Sequence, residues 1–475
     1  MCQARIPFCC GIVALALTAQ GNATGAEEVS FELDVQPILA VRGCNQGACH
    51  GKARGQNGFQ LSLLGFDSNF DFSSIAQQSR GRRVFPAAPA QSLLLRKATA
   101  QVPHGGGQRF AADSEEYQLL QRWIAQGAPR RISNESKLVR VELSPKSVYL
   151  QTDAKAQLAV KAFYSDGSTR DVTDCTQFQS NEDATVSVNA NGIVKAGSLP
   201  GEATIMARYM NNIETSLVSI PLSGNVAAAE YEKLPRSNFI DELVWNKLQT
   251  LGITPAELCD DAKYLRRIHI DLIGRLPTPD EDRAFLASDA PDKRTRAVDT
   301  LLERPEYADH WASKWADLLR PNPYRVGIKA VINYDQTIRD AFRKNLPYDQ
   351  FVRQLVTAQG STWHDGATVL YRDRREPEEV TTLVSQLFLG IRLECAKCHH
   401  HPFEKWSQDD FYSFAAFFGR VGRVGGDLSP PISGEEEMIF VSPTGVVKHP
   451  LTEKAMQPRV LFGKMPAIPA DADPR

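Results

Sequence analysis

Between residues 138 and 222 apolar and polar positions alternate, which is the period of a half-buried β-strand. Two segments show the alternation clearly, and each places four residues on one face: Leu158, Val160, Ala162 and Tyr164 in the first, and Ala203, Ile205, Ala207 and Tyr209 in the second. Asp166-Gly167 and Asn191-Gly192 are turn sequences between such runs. The pattern therefore predicts an antiparallel, all-β sandwich over residues 138–222.

From residue 236 onward apolar residues recur every three or four positions, which is the period of an α-helix. In SNFIDELVWNKLQTLG the apolar stripe is Ile240, Leu243, Val244 and Leu248, and Gly252 ends the helix. Further helices are predicted within 261–286, 292–320, 331–358, 375–391 and 407–420. This half of the chain is therefore predicted to be mainly α.

The first residues have the pattern of an export signal. Arg5 precedes an apolar run over 6–19, which is too short to span a bilayer, and the small residues Thr24 and Ala26 suit a cleavage site. We therefore predict a signal peptide over 1–26 and a periplasmic or cell-surface location. No later stretch reaches the roughly 18 apolar residues of a membrane helix, so no transmembrane segment is expected in the mature chain.

Composition and charge exclude some functions. The chain has 475 residues, 42% hydrophobic, enough for about three domains. A formal net charge of -2 without basic runs argues against nucleic acid as a partner. Nucleophile-elbow, phosphate-loop and His-Glu-x-x-His motifs are absent from the sequence, so no hydrolase is predicted, and whether the protein is an enzyme is left open.

The strongest chemical motif is CAKCH, in which Cys395 and Cys398 are followed at once by His399. This spacing is typical of c-type haem attachment, where two thioether bonds hold the porphyrin and the histidine binds iron. A structural zinc site would need four ligands, and no second Cys-x-x-Cys supplies them, although His400, His401 or His449 could complete the set. A disulfide or redox dithiol is the other alternative. Haem is favoured over both, with the distal iron ligand left open among His310, His364, His449 and Met438.

The helical half resembles an exported planctomycete-type family known as domain of unknown function 1549. The phrases YLRRIHIDLIGRLPTPDE, PEYADHWASKWADLLR, NLPYDQFVRQLV and CAKCHHHPFEKWSQDDFYSFAAFF carry the resemblance, which covers residues 236–440. The resemblance includes the residues of the haem-attachment motif, Cys395, Cys398 and His399. It also includes the adjoining His401, Pro402, Phe403 and Trp406. Residues 441–475 would be a tail, expected to be the truncated start of a further domain.

Residues 27–132 resemble a cytochrome c domain, and 138–222 resemble bacterial Ig-like group 2 domains through DGSTRDVT and NGIVKAGSLPGEATI. In the former, Cys44, Cys49 and His50 resemble a haem-attachment variant with wider cysteine spacing. A later loop, VPHGGG, resembles the cytochrome loop that carries a distal Met, but has Val102 there. His104 is the expected substitute, which would give a bis-histidine iron. The alternative is a disulfide-stapled helical domain.

The expected protein is thus multidomain, with an all-α cytochrome c-like domain, an all-β Ig-like sandwich and a mainly α domain. The favoured function is electron transfer through one or two covalent haem c groups to a redox partner protein or cell-surface component. The alternative is a cell-surface binding or polysaccharide-associated protein whose cysteine and histidine clusters are structural metal or disulfide sites.

Overall fold

The computed structural model describes residues 28–222, 226–401, 404–425, 435–464, 467–469 and 472–475. The predicted signal peptide, with three of the nine cysteines, lies outside the described residues, as do Pro402 and Phe403. In the described ranges no helix is long and apolar enough to cross a membrane.

The N-terminal region is built from short helices and turns. Its α-helices are α1 Gln36–Val41, α2 Ser68–Phe72, α3 Leu93–Ala98 and α4 Glu115–Ala125. Phe31, Leu120 and Trp123 are fully buried and belong to one apolar cluster. The last of these helices, α4, is followed by Gly127, which has a positive φ of 88°. The region is therefore helical, and its likeness to cytochrome c stays a prediction.

Ten strands follow between residues 138 and 220. They are β1 Leu138–Ser144, β2 Ser147–Tyr149, β3 Lys155–Gln157, β4 Ala159–Tyr164, β5 Thr169–Asp171, β6 Gln177–Ser180, β7 Val186–Val188, β8 Ile193–Ala196, β9 Gly201–Tyr209 and β10 Asn212–Ile220. They form sheets of order β1-β4-β5, β2-β10-β9-β6 and β3-β8-β7 around one apolar core. The eight residues predicted to face inward are all buried, which confirms the strand alternation.

The sheets depart from the antiparallel prediction at one pair, because β2 runs parallel to β10. β1 pairs with β4 in one sheet, and after Ser144 the chain crosses to the other sheet as β2. Since β1 and β2 belong to different sheets, they do not form a hairpin, and β2 instead lies beside the last strand. Turns at Gly167 and Gly192 have φ of 84° and 75°, as the turn sequences predict.

The C-terminal half is mainly helical. Its helices are α5 Ala228–Glu232, α6 Phe239–Leu251, α7 Asp261–Ile273, α8 Pro279–Leu286, α9 Lys293–Leu302, α10 Pro305–Leu319, α11 Pro323–Val326, α12 Ile328–Arg343, α13 Tyr348–Val356, α14 Val369–Asp373, α15 Pro377–Phe388 and α16 Gln408–Ala415. Gly252 ends α6 with φ 66°, as expected. The stripe on α6 is, however, exposed to solvent: Leu243 is 63% and Ile240 54% accessible.

A small sheet in this half was not predicted. Its strands are β11 Gly360–Ser361, β12 Val421–Gly425 and β13 Glu437–Val441, in the order β11-β13-β12. β11 pairs with a strand that lies more than 70 residues further along the chain, with Gly360 opposite Ile439. Such a pairing leaves no local signal, because a two-residue strand shows no alternation.

The sheet region packs against the N-terminal region. The Gln177 side chain on β6 donates to the Ala40 carbonyl, and Arg170 on β5 forms an ion pair with Asp34 at 3.2 Å. On β9, Arg208 projects from the face opposite the sandwich core and is nevertheless only 7% exposed. The outer face of the sheet β2-β10-β9-β6 is therefore covered at this point.

Candidate functional site

Cys395 lies on one helical turn, Glu394–Lys397, that precedes helix α16, and Cys398 is the residue that ends this turn. Leu393 and Ala396 on the same turn are fully buried, in a cluster with side chains of α16. Cys395 and Cys398 each lie two residues after one of these buried residues, and both cysteines are exposed. The apolar residues thus fix the turn by packing against α16, and both thiols face the solvent.

The ring of His399 is fixed in one protonation form by its neighbour. Its Nδ1 lies 2.7 Å from the backbone carbonyl oxygen of His400. A carbonyl can only accept, so Nδ1 carries a hydrogen, and in the neutral ring Nε2 then has the lone pair. Metal-bound histidines usually make this same hydrogen bond through their second nitrogen. Nε2 of His399 is therefore the nitrogen available to a metal.

The adjacent His400 has the opposite arrangement. Its Nδ1 accepts from the backbone N–H of Gln408 at 3.1 Å, at the start of α16, so Nε2 carries the hydrogen. His401 is buried, and its backbone N–H donates to the Trp406 carbonyl. The hydrogen bonds therefore distinguish His399 from His400, and the ring that contacts the start of α16 is that of His400.

The N-terminal motif is closed by its own backbone. The His50 N–H donates to the Cys44 carbonyl at 3.0 Å, and the Gly51 N–H donates to the Gln46 carbonyl at 3.0 Å. A Cβ atom at Gly51 would lie 1.9 Å from the Asn45 carbonyl oxygen. Only glycine fits after the histidine, which is a physical reason for the sequence Cys-His-Gly in this loop.

His50 and His104, which are 54 positions apart, are brought together. Their ring centroids are 6.3 Å apart and the ring planes differ by 9°. Nδ1 of His50 lies 2.9 Å from the Phe59 carbonyl oxygen, and Nδ1 of His104 lies 2.8 Å from that of Gly107. In the neutral form both rings therefore have the same tautomer as His399, with the hydrogen on Nδ1. Burial lowers the pKa of His50, which favours its neutral form.

The six cysteines of the described residues are free thiols. Burial raises the pKa of Cys44 to about 11, so this thiol is protonated at neutral pH and is a poor redox nucleophile. The Cys49 sulfur accepts from the Arg109 guanidinium at 3.2 Å. In the part of the chain that the structure describes, no three His, Cys, Asp or Glu side chains converge on a position that could hold a metal ion.

The two motifs meet through the segment 63–66, which the sequence did not single out. The Leu64 N–H donates to the Asn45 carbonyl, inside the first motif, at 2.9 Å, and the Leu63 side chain fills the space beside Gly47. Phe66 contacts the other motif, with its ring centroid 6.4 Å from that of His399. The N-terminal region therefore packs on the loop that carries the second motif.

The distal candidates of the second motif are not gathered around His399. Among the contacts of the described residues, His399 meets Phe66 and the His400 carbonyl, and none of His310, His364, His449 or Met438. Nδ1 of His449 accepts from the Leu451 N–H at 3.2 Å, which places its hydrogen on Nε2. His449 therefore lacks the protonation form of the three histidines above.

Two pairs of adjacent aspartates, Asp260-Asp261 and Asp409-Asp410, lie at the starts of helices. Asp260 caps helix α7 by accepting from the Lys263 N–H at 2.8 Å, and Asp410 accepts from the Ser407 N–H in a capping box. These carboxylates therefore accept hydrogen bonds from backbone N–H groups at the starts of helices, and they do not form a catalytic pair.

Comparison with known proteins identifies one part of the chain. No curated protein matches the chain. The match to a family lies in the helical half and includes Cys395, Cys398 and His399, within the range 236–440 over which the sequence motifs predict it. Residues 239–423 match the family PSCyt2, described as a protein of unknown function (DUF1549).

Proposed function

We propose that this protein is an exported c-type haem protein that transfers electrons through one or two covalently attached haems. The observation that carries the proposal is the shared protonation form of His50, His104 and His399. Each donates Nδ1–H to a backbone carbonyl at 2.7–2.9 Å, leaving Nε2 free for iron.

The cysteines suit the attachment chemistry. In thioether formation each thiol adds across one vinyl group of the haem: the sulfur bonds to one vinyl carbon, and the thiol hydrogen goes to the other. The step is an addition, so no oxidant or reductant is consumed. It needs free thiols within reach of the haem, and Cys395 and Cys398 are free and exposed beside His399.

The N-terminal pair of histidines suits a six-coordinate iron. A metal–imidazole bond is about 2 Å, so two imidazoles on opposite sides of one ion have ring centres roughly 6 Å apart. His50 and His104 have ring centroids 6.3 Å apart. Arg109 and the backbone of the motif hold Cys49 and Cys44 on the same loop. These four residues are the proposed ligands and attachment points of the first haem.

Electron transfer is the function that this arrangement supports best. Bound haem supplies a one-electron iron couple. Because His50 and His104 would fill both axial positions, the first iron would have no open position for a substrate. The segment 63–66 joins the two motifs directly, so an electron received at one could pass to the other. The thiols of the second motif face outward, where a redox partner protein or cell-surface component could approach.

The test is the haem content of protein exported by cells that carry out cytochrome c maturation. The visible spectrum should show a Soret band, and pyridine haemochrome assay with mass measurement should give two haems per chain. Cys395→Ala with Cys398→Ala should leave one haem, and so should Cys44→Ala with Cys49→Ala. The matched control is Cys175→Ala with Cys259→Ala, which removes two isolated thiols and should leave both haems.

The histidines provide a second comparison. His399→Ala should keep the attached haem but change its spectrum, whereas His400→Ala should leave the spectrum unchanged. Full haem content after loss of Cys395 and Cys398, together with loss of bound zinc, would instead establish a structural metal site and the alternative surface-binding function. A wild-type protein without a Soret band would remove the haem proposal altogether.

A further inference from the structure

A buried arginine that has no partner among the described residues lies beside the second motif. Arg208 on β9 is only 7% exposed. Among the described residues no hydrogen bond or ion pair satisfies its guanidinium, and burial alone lowers its pKa to about 10. An uncompensated buried charge costs several kcal/mol, so the position favours a bound anion that the protein itself does not supply.

The guanidinium lines a small cavity formed by three parts of the chain. Phe66 comes from the N-terminal region, Arg208 from the sheet region, and His400 and His401 from the loop that follows Cys398. The cavity offers about 20 Å³ to water-sized groups, a little more than the roughly 10–15 Å³ that one water needs. It therefore has room for the end of a carboxylate, but not for a porphyrin ring.

The other charges at the cavity leave Arg208 uncompensated. Glu404 lines the same cavity, but its carboxylate accepts from the Trp406 indole N–H at 2.8 Å and forms no ion pair with Arg208 within 4 Å. Lys405 adds a second cation. The described side chains around the cavity therefore carry one carboxylate against two cations.

We propose that Arg208 binds a carboxylate arm of the haem attached at Cys395 and Cys398. This inference rests on the proposed function. Haem brings two carboxylates that need partners, and the guanidinium forms paired hydrogen bonds with such a group. His400 and His401 line the cavity together with Arg208 and follow His399 directly, so the cavity lies beside the proposed attachment site. A tethered anion has a far higher effective concentration than a free one.

The experiment measures the midpoint potentials of the full-length haem protein by spectroelectrochemistry. Arg208→Gln removes a positive charge near one iron, which stabilises its oxidised state, so one midpoint potential should fall while the haem content stays at the wild-type value. Arg208→Lys keeps the positive charge but loses the paired N–H donors of the planar guanidinium, so the midpoint potential should fall by less. The control is Arg140→Gln, which removes an exposed arginine of the same region that pairs with Glu142.

Unchanged potentials in the Arg208 variants with full haem content would overturn this inference and leave the proposed function intact. If Arg208→Gln fails to fold, unchanged potentials in Arg208→Lys overturn it equally. Haem-free wild-type protein is also melted with and without inorganic phosphate. Stabilisation by phosphate that is lost in haem-free Arg208→Gln, together with potentials independent of Arg208, would identify a free oxyanion and overturn the haem carboxylate. A wild-type chain without haem would fail the proposed function itself.

Discussion

The ring of Phe66, in the N-terminal region, lies 6.4 Å from the ring of His399 in the helical half, across more than 300 residues of sequence. Phe66 also contacts the ring of His400, at 6.0 Å. One aromatic side chain therefore covers the loop that carries the Cys-x-x-Cys-His motif. Its position makes the surroundings of His399 depend on the N-terminal region.

Phe66→Ala should lower the midpoint potential of the haem proposed at His399. Loss of the ring admits water, which stabilises the charge of oxidised iron, since solvent exposure is one of the factors that set haem potentials. Spectroelectrochemistry measures the change. Phe85→Ala is the control, because Phe85 belongs to the same region but is 50% exposed. Equal potentials in both variants would show that Phe66 does not shield the site.

His104→Met should raise the midpoint potential of the proposed N-terminal haem. Methionine and histidine as axial ligands give a higher potential than two histidines, and His104 lies opposite His50 with nearly parallel rings. Gln108→Met is the control, because it adds methionine to the same loop and keeps the histidine. A potential that does not move would remove His104 from the iron.

Leu158→Ala should destabilise the sheet region by roughly 2–5 kcal/mol. Leu158 is fully buried in the sandwich core, and removing a buried leucine side chain loses apolar contacts and leaves a cavity. Leu199→Ala makes the same change at a residue that is 59% exposed, where surface substitutions usually change stability by about 0.5 kcal/mol or less. Urea unfolding compares the two variants, and similar losses would contradict the assigned core.

Asp71 should make the N-terminal region less stable as pH rises from about 4 to about 7. Burial raises the pKa of Asp71 from 3.8 to about 7, against the hydrogen bonds from Ser62 that lower it. The folded state then holds a proton that the unfolded state has lost, so the unfolding free energy falls across this range. The loss is at most roughly 4 kcal/mol, at about 1.4 kcal/mol per pKa unit.

Asp71→Asn tests this, because asparagine does not titrate. Its unfolding free energy, measured with urea at pH 5 and pH 8, should change less than that of the wild type. Asp113→Asn, at an exposed position of the same region, should retain the wild-type dependence. An Asp71→Asn variant whose stability falls between these pH values as much as that of the wild type would show that Asp71 does not hold a proton in the folded state.

The sequence by itself determined the features that depend on neighbouring residues. The alternation at Leu158 and Ile205 placed both in the sandwich core, and the three-to-four period placed helices such as α6 and α16, because strand and helix periods follow from backbone geometry alone. The Cys-x-x-Cys-His motif is equally local, and its spacing was enough to choose His399 as the candidate ligand.

Tertiary structure decided which distant segments meet. His50 and His104 were joined on a resemblance, but their separation and shared hydrogen-bond pattern come from the folded loops. Phe66 and Arg208 gave no signal, since each lies in an ordinary run of residues and gains its importance from what packs against it. The parallel β2–β10 pair is likewise a result of packing. A local period fixes which face a residue occupies, whereas the element that covers that face depends on the whole chain.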